Sequence, residues 1–76
     1  MNDARRKELQ KIIDQLDSLK SDLEALKDEE EEYRDNMPEN LQNSERYEKA
    51  DEAVSNLDEA CDSLQSALDY IEEATA

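Results

Sequence analysis

Apolar residues recur on alternating steps of three and four along nearly the whole chain. In the first half these are Leu9, Ile12, Leu16, Leu19, Leu23, Leu26, Tyr33 and Met37, with Glu30 the one polar interruption. In the second half Tyr47, Ala50, Val54, Leu57, Cys61, Leu64, Leu68 and Ile71 keep the same phase without a break. A heptad pattern held for about four repeats predicts a helix with one apolar seam. Between the two arrays lies Asn36-Met37-Pro38-Glu39-Asn40-Leu41-Gln42-Asn43-Ser44. Pro38 disfavours helical geometry at Met37, so the first helix is expected to stop near Asn36. Asn43 or Ser44 can cap the second helix, with Glu45 and Glu48 favourable at its positive end. The reading is a single domain, residues 1–76, with helix 1 over about 3–36, a loop over about 37–43 and helix 2 over about 44–74. A short loop between two long helices predicts an all-α, antiparallel, coiled-coil-like hairpin.

The pattern also suggests a register. Folding about residue 40 pairs positions whose numbers sum to 80, setting Tyr33 by Tyr47, Leu26 by Val54, Leu19 by Cys61 and Ile12 by Leu68. Flanking charges agree, with Lys27 facing Asp51, Lys20 facing Asp58 and Arg6 facing Glu72. Exposed pairs of this kind are weak, so they select the register more than they hold the fold. Glu30, opposite small Ala50, is a seam residue of the type that fixes register, within reach of Arg34, Arg46 or Lys49. A slip of one heptad, to a sum of 87 with a different loop, is the alternative.

Size then becomes a constraint. A chain of 76 residues struggles to bury enough surface by itself, and one Cys with no His offers neither a disulfide nor the usual zinc site. Helix 2 carries a second column, Ala53, Ala60, Ala67 and Ala74, where small side chains let another helix approach closely; Ile13 widens helix 1 on its flank. These five residues form the candidate oligomer interface. Dimerisation into a four-helix bundle, or docking on another protein, would cover it.

Charge removes several function classes. The 23 acidic and nine basic residues give a net charge of −14, which opposes direct binding to nucleic acid or to an anionic membrane. No apolar run approaches the length of a bilayer span. Met1 to Lys7 starts basic but leads into no apolar stretch, so no secretory signal is expected. A lone thiol suits a reducing interior, and a bacterial cytoplasm is the expected location. From Ala50 onward there is no basic residue, and Glu52, Glu59, Asp62, Asp69 and Glu73 form a candidate acidic surface on the outer faces. Over a helix arm of about 45 Å, fourteen charges amount to one per ~3.2 Å, or one per ~1.6 Å for two hairpins side by side, against about 1.7 Å in duplex DNA.

No constellation points to catalysis. The run Asp28-Glu29-Glu30-Glu31-Glu32 rings its helix instead of converging, and lacks the glycine and turn residues of a calcium loop. Cys61 is expected in the seam with nothing to activate its thiolate. Tyr33 and Tyr47 are expected to close the loop end as a packed pair, while Tyr70 lies off the seam. No catalytic, cofactor or metal residues are assigned, and an enzyme is not expected.

The stretch Glu29-Glu30-Glu31-Glu32-Tyr33-Arg34-Asp35-Asn36-Met37-Pro38-Glu39-Asn40-Leu41-Gln42, followed by Ser44-Glu45-Arg46-Tyr47 and an Ala/Leu/acid repeat, carries a resemblance. From Asp28 to Tyr70 the chain resembles small acidic proteins of prophages and mobile elements of gut Gram-positive bacteria. The resemblance implies a phage-type origin and a helical hairpin, and brings no activity or functional residues with it. The expected function is therefore non-enzymatic: a self-associating hairpin, a homodimer, that acts by binding protein. The alternative is an acidic mimic of DNA that inhibits a nucleic-acid-binding host protein.

Overall fold

A computed structural model of the chain describes all of residues 1–76. Helix α1 runs Asp3–Asp35, a single 3₁₀ turn spans Glu39–Leu41, and helix α2 runs Glu45–Thr75. The two long helices pack against each other as an all-helical hairpin, a rod of 59 × 15 × 13 Å.

Local chemistry accounts for the ends. Asn2 caps α1, its side chain accepting from the Arg5 amide at 2.7 Å. The helix closes at Asn36, whose amide still reaches the Glu32 carbonyl at 2.9 Å; Met37 and Pro38 then leave it. Ser44, one of the two expected caps, accepts from the Tyr47 amide at 3.2 Å and opens α2. Glu45 and Glu48 sit in that first turn, where the helix dipole favours negative charge.

Packing of α2 follows its sequence pattern. Ala50, Cys61 and Leu68 are buried, and Tyr47, Val54, Leu57, Leu64 and Ile71 are half-buried between them. Cys61 is therefore a free thiol in the core. In α1 only one of the two expected columns faces inward: Leu9, Leu16, Leu23 and Glu30 are half-buried and Met37 is buried. The other, Ile12, Leu19, Leu26 and Tyr33, is turned to solvent, with Leu19 59% and Leu26 56% exposed. Its place at the seam is taken by Arg6, Ile13, Lys20, Lys27 and Arg34, all half-buried except Ile13, which is buried at 6% exposure. On a helix these columns flank the Leu9–Met37 column on opposite sides, so α1 is rotated about its axis by roughly half the expected face.

The flanking charge pairs are also corrected. Lys27 pairs with Asp58 at 3.3 Å, not with Asp51, which is held by Arg34 at 2.8 Å. Both pairs sum to 85, where the expected flanking pairs summed to 78, while Glu30 and Ala50, expected opposite each other, do line one groove. Lys20 pairs within its own helix, with Glu24 at 3.0 Å, and Arg6 with Asp3 at 3.3 Å. The reach of long side chains is the physical reason: Lys27 and Arg34 extend over the seam to carboxylates beyond the positions facing them. At the loop end Met37 and Ala50 are buried, where Tyr33 and Tyr47 were expected as a packed pair. Tyr33 is 46% exposed.

Leu68 is 3% exposed, so Leu68→Ala is expected to lower unfolding free energy by about 2–4 kcal/mol. Urea denaturation checks this, and a loss under about 0.5 kcal/mol, typical of surface sites, would place Leu68 outside the core.

Candidate protein-binding face

Two open grooves run beside the seam, and their linings differ in kind. One is lined by Lys27, Glu31, Arg34, Asp51, Val54, Ser55 and Asp58. Here Lys27 and Arg34 lay their aliphatic stems over the seam and carry their charges to α2; their side chains are only 22% and 18% exposed. The hydrogen bond from Asp58 holds the Lys27 ammonium above its ordinary 10.5. Asp35 first, then Asp51, raise Arg34 likewise. Lys20 is raised by its hydrogen bond to Glu24. This edge of the hairpin is satisfied by charge pairing.

The opposite groove, about 450 Å³ and open to solvent, is lined by Glu30, Tyr33, Glu45, Arg46, Lys49 and Ala50. Glu30 makes no ion pair, because Arg34 is turned to the other edge, where it holds Glu31, Asp35 and Asp51. A seven-residue step brings a helix back to nearly the same side, so Tyr33 continues along this edge as Leu26, Leu19 and Ile12. Arg46 continues on α2 as Ala53, Ala60, Ala67 and Ala74, and Lys49 as Asn56, Ser63 and Tyr70. The groove lining sets Tyr33 against Arg46, Lys49 and Ala50, and the seven-residue spacing then carries Leu26, Leu19 and Ile12 along the same edge as the alanine column.

The result is one long apolar edge. Ala53 and Ala60 are half-buried, Ala67 and Ala74 exposed, and Tyr70 is 74% exposed next to them. None of the chain's 23 acidic residues falls on these three columns, whose charges are Arg5, Arg46 and Lys49. The alanine column of the candidate interface thus lies on the uncovered edge. Ile13 does not, because it is buried within the hairpin on the ion-paired side. Ile12, Leu19, Leu26 and Tyr33 occupy the α1 side of that edge. The sequence signal for them was the column Lys20, Lys27 and Arg34, spaced by sevens like Asp51 and Asp58.

The remaining candidates are dispersed. Glu52, Glu59, Asp62, Asp69 and Glu73 are all exposed, on the sides of α2 away from the seam. In the acidic run, Asp28, Glu29 and Glu32 are exposed while Glu30 and Glu31 line opposite grooves, so the five carboxylates diverge. No helix is long and apolar enough to cross a membrane. No family model matches the chain, and no curated protein or solved structure is similar to it.

Charge exchange tests the ion-paired edge. Arg34→Glu is expected to lower the thermal midpoint, and adding Asp51→Arg to recover most of it. Lys27→Glu should be rescued by Asp58→Lys; rescue by Asp51→Lys would restore the pairing expected from the sequence. A raised Lys27 pKa means its pairing contributes fully below 10.5 and is lost as pH climbs through the folded value. The midpoint difference between wild type and Lys27→Met should therefore vanish well above that pH.

Proposed function

We propose that this protein acts without enzymatic chemistry, by protein–protein binding, and that it self-associates through the edge formed by Ile12, Leu19, Leu26, Tyr33 and the alanine column. The observation that carries this reading is the surface left uncovered. The hairpin exposes 5728 Å², whereas a compact monomer of 8.8 kDa exposes about 4,800 Å². Only five residues are buried, and no side chain is completely so. The excess, roughly 900 Å², is close to the ~800 Å² per partner of a standard stable interface. Burying it on a second hairpin gives a four-helix bundle, in which each apolar column is covered on both sides. The resemblance of the Glu29–Gln42 segment to prophage proteins supports a phage-borne origin, and the unpaired Cys61 a reducing bacterial cytoplasm.

A second reading, inhibition of a nucleic-acid-binding protein by charge mimicry, has one observation in its favour. Pairing through this edge leaves most carboxylates of both copies facing outward. Two copies of charge −14 along 59 Å carry about one charge per ~2 Å, near the ~1.7 Å of duplex DNA. Binding of this kind weakens steeply with salt and is competed by duplex DNA.

Light scattering at micromolar concentration is expected to give twice 8.8 kDa. Leu19→Glu with Ala67→Glu should halve that mass while helical circular dichroism persists. Ile13→Glu should instead reduce helicity, since Ile13 is in the hairpin core. A monomer at every concentration would exclude self-association.

A further inference from the structure

Resting on the self-association just proposed, we infer that the occupant of the apolar edge is a second copy lying with its loop at the same end, so that α1 of each chain covers α2 of its partner. The edge is uneven across its width. Its α1 side bears the large side chains Ile12, Leu19, Leu26 and Tyr33, and its α2 side bears Ala53, Ala60, Ala67 and Ala74. Two faces of this shape meet by two-fold symmetry in two ways. An axis along the rod places large columns over the partner's alanines, as ridges into grooves. An axis across the rod stacks large on large and alanine on alanine, which leaves a void along one half of the interface.

Charge selects the same arrangement. The column of α1 just outside the large side chains is Glu8, Gln15, Asp22 and Glu29. Its counterpart on α2 is Lys49, Asn56, Ser63 and Tyr70, free of acid. With loops together, the acidic α1 column of each chain runs along the partner's Lys49, Asn56, Ser63 and Tyr70 column. With loops apart, the two α1 helices lie on each other and their Glu8, Asp22 and Glu29 columns face one another. For chains of −14 each, that juxtaposition opposes assembly, while the loops-together bundle sets each acidic column against one without acid. The area fits. Taking about 200 Å² for each fully exposed large residue, the exposed parts of Ile12, Leu19, Leu26, Tyr33 and Tyr70 supply roughly 550 Å² per chain before the alanines are counted.

The test is a distance between copies. Asn40 is exposed in the loop, and a spin label on Asn40→Cys in a Cys61→Ala background reports the separation of the two loops. Loops together give a label–label distance of about 20–30 Å, from helix spacings of 8–10 Å plus the label arms. A distance on the order of the 59 Å rod length would overturn the arrangement while leaving self-association intact. Absence of any dipolar coupling, with a monomeric mass, would instead remove the reading on which it rests. Should the alanine background fail to fold, a mixture of Asp22→Cys and Ser63→Cys chains retaining buried Cys61 serves. Disulfide dimers joining the two different variants are expected. Dimers formed mainly between identical Asp22→Cys chains would contradict the proposal.

Discussion

Three long cationic side chains decide which way α1 faces. Lys20, Lys27 and Arg34 stand at seven-residue intervals, and their half-buried stems cover the seam while Lys27 and Arg34 deliver charge to Asp58 and Asp51. A methylene stem shields apolar surface almost as a leucine does, yet needs water or a carboxylate at its tip. Turning that column inward is favourable because α2 supplies carboxylates at the same spacing. The leucine column on the other flank is turned outward by the same rotation. The ion pairs and the uncovered apolar edge are therefore one event.

That coupling divides the hairpin lengthwise into unlike halves. One half is closed by charge and needs nothing further. The other leaves Ile12, Leu19, Leu26 and Tyr33 in water beside a row of alanines, an arrangement that a solitary protein keeps only at a cost in stability. An edge whose leucine and alanine columns carry no carboxylate, in so acidic a chain, is where a like-charged neighbour meets least repulsion.

Much of the fold was legible in the sequence. The heptad phase fixed two helices; Pro38 and Ser44 marked where one stops and the other begins; the whole seam of α2 was visible because its two columns have no apolar rival of equal weight. Helix α1 was harder. It has three plausible columns, and hydrophobicity alone favours Leu19 and Leu26 over Lys20 and Lys27, whereas packing weighs stems and tips separately. The flanking pairs were missed for a related reason: Lys27 reaches along α2 to Asp58 where Asp51 was expected, and Arg34 takes Asp51 instead. Of the residues on the uncovered edge, the alanines were legible from their seven-residue phase. Ile13 was misplaced because it lies on the flank that the lysines drew inward.

The opening turn of α1 is unlike the rest of the rod. The Asn2 cap and the Arg6–Asp3 pair hold it, and Arg5, Arg6 and Lys7 place positive charge where the dipole is already positive. The rod is thus an acidic shaft with a basic tip at the end away from the loop.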